Sequence, residues 1–189
     1  MNISVQDVDH LLPPNMKPLQ EVAARLIQER MAGEVEIVLV DDHYITQLNQ
    51  RYRGIHAPTD VLAFDLSDTD GPMEDSLIGE VYISLERAQE QAQERGLPFI
   101  EEVGRLIFHG LLHLSGYDDE TEADARRMEK EVEGYVDQLR GFLGSRTTRK
   151  VLGKDLRDRN NKHSGRGAPA FSSTSICSCW LKEEHAKRR

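Results

Sequence analysis

His109 and His113 stand four residues apart in the most apolar stretch of a polar chain, Arg105-Leu-Ile-Phe-His-Gly-Leu-Leu-His-Leu-Ser-Gly-Tyr-Asp-Asp119. On an α-helix that spacing sets both imidazoles on one face, one turn apart. Two neutral imidazoles joined by a carboxylate make a three-ligand zinc site that keeps coordination positions open. Gly116 supplies the route to that carboxylate: glycine relieves the left-handed strain at a helix C-terminus, and the chain turns back to bring Asp118 and Asp119 near the same face. Asp119 is the favoured third ligand. Asp118 or Glu120 in its place, or a site that has lost its metal, are the alternatives.

A His-x₃-His pair alone is a weak signal, because two satisfied histidines in a core helix give the same pattern. The continuation strengthens it. Gly116 follows His109 by seven residues and Asp119 follows it by ten, a spacing that matches the metzincin zinc peptidases except at one place. Those peptidases carry their general base, a glutamate, directly after the first histidine. Here that position is Gly110, so a peptidase mechanism lacks its base.

Around this stretch the hydrophobic pattern predicts the elements that must hold it. Asn2 to Gln6 alternates like a short strand. Leu19, Val22, Ala23, Leu26, Ile27 and Met31 fall at helical spacing before Gly33, and Val35–Val40 is a β-branched strand. Asp41-Asp42 caps a second helix whose inner face is Ile45, Leu48 and Tyr52, closed by Gly54. Strands follow at Val61–Leu66 and Leu77–Ser84, and a polar helix runs over Glu86–Arg95. Pro98 opens the histidine helix. A last helix is expected from about Thr121 to Phe142; Thr121 and Asp124 resemble a capping box, and Glu122 and Asp124 form its acidic first turn. The pattern gives one α+β domain over residues 1–144: a small mixed sheet of about four strands with helices around it. Beyond Gly144 it fails, and residues 145–189 read as a basic, mostly disordered tail.

Composition narrows the partners. The 189-residue chain carries a net charge of −9. Residues 1–144 hold 12 Lys/Arg against 29 Asp/Glu, whereas residues 145–189 hold 12 against 4. An acidic body argues against broad non-specific nucleic-acid binding and leaves room for a local basic groove. The basic tail is read as a solvated segment, with contact to phosphates as the alternative. Cys177 and Cys179, even with His185 nearby, offer too few ligands for a metal site. No apolar run spans a bilayer and the N-terminus lacks the basic and apolar regions of a signal peptide, so no membrane partner and a cytoplasmic location are expected.

Three segments in order resemble one family. His109-Gly-Leu-Leu-His-Leu-Ser-Gly-Tyr-Asp-Asp119 resembles the signature of the YbeY endoribonucleases of bacterial ribosomal RNA maturation. Leu48-Asn-Gln-Arg-Tyr-Arg-Gly54 with Pro58-Thr-Asp-Val-Leu-Ala-Phe64 is a second match, and Leu77-Ile-Gly-Glu-Val-Tyr-Ile-Ser-Leu85 a third. The resemblance covers about residues 1–144. It implies a metal-dependent, single-strand-specific endoribonuclease with one zinc ion per chain, acting in 3′-end maturation of 16S ribosomal RNA and in ribosome quality control. It also implies ribosomal RNA and the small ribosomal subunit as partners, with a small-subunit ribosomal protein and an assembly GTPase as further candidates. His109 and His113 match the first two zinc ligands. Arg53 matches an arginine that the family places near the metal, where a guanidinium can grip a phosphate and stabilise charge developing on it; read alone, it is a solvent-exposed helix-end arginine.

Asp119 stands where the family has a third histidine. A carboxylate is a competent zinc ligand, but it lowers the formal charge of the site, so a bound water should be harder to deprotonate than in an all-histidine site. The resemblance leads to a mechanism in which zinc polarises the phosphodiester and activates water while Arg53 holds the phosphate. No general base is named by the sequence. A non-catalytic ribosome-assembly factor with a structural or degenerate metal site is the alternative function.

Overall fold

The computed structural model describes residues 2–5, 11–13, 15–67, 77–151 and 180–182. Strand β1 (Asn2–Val5) leads to helix α1 (Lys17–Arg30), strand β2 (Glu34–Val40) and helix α2 (Asp42–Arg53). Strands β3 (Val61–Asp65) and β4 (Leu77–Ser84) are followed by helices α3 (Leu85–Arg95), α4 (Phe99–Leu114) and α5 (Glu122–Val151), and strand β5 (Trp180–Lys182) comes last.

The sheet order is β1-β2-β4-β3-β5. β1, β2 and β4 run parallel, while β3 is antiparallel to β4. This is the α+β domain with a mixed sheet that the periodicity predicts, its four body strands joined at the β3 edge by three residues of the tail. The pairing could not be read from the order of elements, because β3 is inserted after β4 in space although it precedes it in the chain.

Alternation along the strands assigns the two faces. Val61 and Ala63 join Val35, Ile37, Leu39, Val81 and Ile83 in a large core beneath α1, α4 and α5. Leu62 and Phe64 turn the other way and meet Val38, Val40 and Ile45 beneath α2. Val61-Leu-Ala-Phe64 is therefore apolar throughout because both faces of β3 are covered. Helix α4 lies deepest, buried from Glu101 to His113.

Helix α4 lies hard against its neighbours at two glycines. A methyl group at Gly110 would come within 2.5 Å of Val81 Cγ1 on β4, and one at Gly104 within 2.7 Å of Leu139 Cδ2 on α5. Either approach needs the missing side chain. Beside Gly104, α4 is also tied to α5 by charge: Arg105 donates to Glu129 at 2.9 Å and Glu133 at 2.7 Å, and Arg140 Nε donates to Glu101 at 2.8 Å.

Three expectations are adjusted. Tyr52, expected on the inner face of α2, is 43% exposed, because the helix ends there and only Ile45 and Asn49 reach full burial. Helix α5 continues to Val151, past Gly144, and Trp180–Lys182 pair in parallel with Ala63–Asp65 of β3. The rest of the expected disordered tail, with Cys177, Cys179 and His185, lies outside the described residues.

Candidate metal centre

Helix α4 ends in a way that builds a site. Ser115 is its C-cap and Gly116 follows with φ 91°. The Tyr117 N–H donates to Leu112 O at 3.0 Å and the Gly116 N–H to His113 O at 2.9 Å. This is the paired closure that a left-handed glycine permits. The turn is held by Asp118, whose carboxylate accepts from the N–H of Asp119 at 2.7 Å and of Glu120 at 3.2 Å. Asp118 and Glu120 are exposed, whereas the Asp119 side chain is 7% exposed and turned inward.

His109, His113 and Asp119 converge, each offering one ligand atom, all within 4.8 Å of one another. The two histidine Nε2 atoms are 3.1 Å apart and His113 Nε2 lies 3.9 Å from Asp119 Oδ2. Nitrogens bound at ordinary zinc distances to one tetrahedral ion stand about 3.3 Å apart, so the spacing of the pair fits such an ion with little adjustment. Of the three carboxylates that could complete the site, Asp119 is the one the turn delivers. The group could hold a metal ion.

Second contacts fix the ring of His113. Its Nδ1 lies 3.1 Å from the Tyr117 carbonyl oxygen. A carbonyl only accepts, so Nδ1 carries the proton and Nε2 presents its lone pair to the site. Tyr117 is held in turn: its hydroxyl accepts from Arg30 at 2.9 Å, and the Arg30 guanidinium also donates to Tyr135 at 2.9 Å. Burial pushes the His109 imidazole down to about 3, with the neighbouring His113 charge adding to the effect. Burial lowers His113 too, against the pull of Asp119 and the Tyr117 carbonyl. Both rings are thereby held in the neutral form that a metal ligand requires.

Gly110 now has a structural reason. It faces β4 at a distance that excludes even a methyl group, so the glutamate of a zinc peptidase has no space there. Arg53 is the last residue of α2, half-buried, and belongs to the layer on the opposite face of the sheet from α4. Two further residues of the same segment organise the loop between α2 and β3. Asn49 is buried and donates to Ala57 O at 2.8 Å. Asp60 accepts from its neighbour Val61 at 2.9 Å and from Gln91 of α3 at 2.9 Å. Sequence reasoning gave neither a role; a polar residue inside an otherwise helical pattern, next to a Pro-containing loop, was the available signal.

Comparisons with known proteins give the chain a family. The profile of the family described as Endoribonuclease YbeY matches residues 6–140. The chain belongs to the YbeY family. A YbeY endoribonuclease from Carboxydothermus hydrogenoformans is 45% identical over 120 residues, covering 64% of this chain and 82% of its own. One from Moorella thermoacetica is 43% identical over 138 residues, covering 68% of this chain and 86% of its own. A solution structure of a Thermotoga maritima protein is similar at a TM-score of 0.55 and 27% identity, covering 82% of this chain and all of that one. The YbeY match stops short of residues 145–189.

Proposed function

We propose that this YbeY-family chain is a zinc-dependent, single-strand-specific endoribonuclease of 16S ribosomal RNA 3′-end maturation and late ribosome quality control. The observation that carries the reading is the convergence of His109, His113 and Asp119 at the end of a buried helix, in a chain of an endoribonuclease family. A zinc ion held there would supply Lewis-acid chemistry to a phosphodiester and to the water that attacks it. The chain's own residues do the rest. His109 and His113 present neutral nitrogens, Tyr117 orients one of them, and Asp119 adds the negative charge that tempers the ion. In this reading Arg53, at the C-terminal end of α2 and outside the converging group, grips the phosphate where the RNA strand passes the edge of the sheet.

The partners follow from that reading: ribosomal RNA and the small ribosomal subunit, with a small-subunit ribosomal protein and an assembly GTPase as further contacts, in the cytoplasm. Among the described residues no helix is long and apolar enough to cross a membrane.

The test is metal content and cleavage of a single-stranded RNA for the intact protein, His113→Ala and Arg53→Ala. His113→Ala should lose zinc and cleavage together. Arg53→Ala should keep zinc and lose most cleavage. Wild-type rates in either variant, or cleavage that persists in a chelator, would defeat the proposal. Full rescue of RNA processing in a deletion strain by His113→Ala would favour the assembly-factor alternative.

A further inference from the structure

Four aromatic rings gather on the face of the sheet away from the histidines. Tyr44 stacks on Tyr82 with centroids 6.1 Å apart, Tyr82 meets Phe64 edge-on at 5.7 Å, and Phe64 meets Tyr52 edge-on at 4.8 Å. Tyr52 ends this row at the surface, 43% exposed. It is not a leftover of the core. Its ring is held in place by Phe64 from below, and the exposed Arg51 guanidinium lies 5.3 Å from its centroid. Beside it opens a shallow cleft of about 50 Å³, lined by Leu48, Tyr52, Phe64, Leu66, Glu80 and Tyr82.

We propose that Tyr52 and this cleft form a stacking site for one unpaired nucleobase of a single-stranded RNA. A partly exposed aromatic ring with a solvent-exposed arginine over its face, which a base can displace or extend as a stack, is the chemistry by which proteins hold splayed-out bases. The cleft itself selects base over phosphate. Among the described residues its one charged side chain is Glu80, whose carboxylate accepts from the Tyr82 hydroxyl at 2.9 Å. A carboxylate repels a phosphate and attracts the N–H donors on the edge of a base. The volume is too small for a whole ring, so the base lies on Tyr52 with its polar edge at the mouth. Arg51 adds attraction for the backbone. Arg53 follows Tyr52 directly, so the base would sit one residue from the guanidinium assigned to the phosphate. This inference rests on the RNA-cleavage reading and adds to it a determinant of substrate affinity outside the metal group.

The experiment uses the full chain in chelator, so that binding is read without cleavage. A fluorescein-labelled single-stranded RNA ten-mer is titrated by anisotropy, beside the same ten-mer made of abasic ribose phosphates. Tyr52→Ala should bind the RNA about tenfold more weakly, as loss of one stacked base implies, and bind the abasic strand as the wild type does. Tyr52→Phe keeps the ring and should stay within about twofold. Thermal melting of both variants should match the wild type, since the ring is half in solvent. The proposal is overturned if Tyr52→Ala binds RNA as tightly as the wild type, if Tyr52→Phe weakens binding as much as Tyr52→Ala, or if both strands lose affinity equally. The nuclease reading fails separately, if the metal-loaded wild type does not cleave RNA.

Discussion

The backbone carbonyl of Tyr117 accepts the Nδ1 proton of His113 across 3.1 Å, and a single left-handed glycine makes that possible. Gly116 closes α4, turns the chain and returns the carbonyl of the next residue to a ring one helical turn back. Helix end and candidate metal site are one structure. A methyl group at Gly116 meets no atom within 4 Å, so Gly116→Ala costs only backbone strain, about 1 kcal/mol. That strain displaces the carbonyl. We expect zinc affinity to fall about tenfold, the usual effect of losing a partner that orients a ligand, with a modest drop in melting temperature. Zinc titration with a competing chromophoric chelator reads the first and calorimetry the second. Unchanged affinity would show that the Tyr117 contact does not position the ring.

Two neighbouring aspartates take different places in the turn after α4. Asp118 holds the turn through two backbone N–H groups and is exposed, whereas Asp119 faces the histidines. Asp119→Ala should therefore lose most of its bound zinc in elemental analysis, while Asp118→Ala keeps it. Asp119→His, which restores the ligand set typical of the family, should bind zinc at least as well as the wild type. Equal metal content in Asp119→Ala and wild type would remove Asp119 from the site.

Gly110 tests the packing of the histidine helix. The nearest atom to a methyl group placed there is Val81 Cγ1 at 2.5 Å, with Val61 Cγ2 at 3.3 Å. Both valines are β-branched and fully buried, so neither yields cheaply. Gly110→Ala should destabilise the protein by about 1–3 kcal/mol in chemical denaturation, the usual range for overpacking. Gly110→Glu, which writes the peptidase base into the sequence, should fold poorly and hydrolyse no casein. A stable Gly110→Glu would mean that α4 sits farther from β4 than described.

A fourth expectation concerns Glu102, which is fully buried at the start of α4. Arg95 donates to one of its oxygens at 2.8 Å, while its Oε2 has no hydrogen-bond partner among the described residues and lies 3.9 Å from Arg105 Nε. Burial raises its carboxyl above the ordinary 4.5, and the two arginines only partly oppose that. The folded state then holds the proton more tightly than the unfolded chain. Stability from this group is fully present below pH 4.5 and is lost as pH rises through the raised value. Glu102→Gln should therefore gain on the wild type as pH rises from 4.5 toward neutrality. Melting curves across that range check it, and a wild type that gains on the variant with rising pH would show that the arginines outweigh burial.

The sequence by itself determined the elements and two of the three converging side chains. Its periodicities set out the helices and body strands because each must bury one face, and helical spacing alone places His109 beside His113. It also carried the family, through three ordered segments. It favoured Asp119 as the third ligand over Asp118 and Glu120, and since adjacent side chains in a turn point in different directions, the closed geometry around Gly116 is what turns Asp119 toward the histidines. It placed Tyr52 inside, because periodicity cannot show how much of the last turn of α2 is covered: Tyr52 meets Phe64 on one side and leaves the rest of its ring exposed. Sheet order, the parallel seat of Trp180–Lys182 on β3 and the Arg30–Tyr117–His113 chain all join residues far apart in sequence. Such contacts carry no local signature. They exist only once the whole core has closed, and the tertiary structure alone decided them.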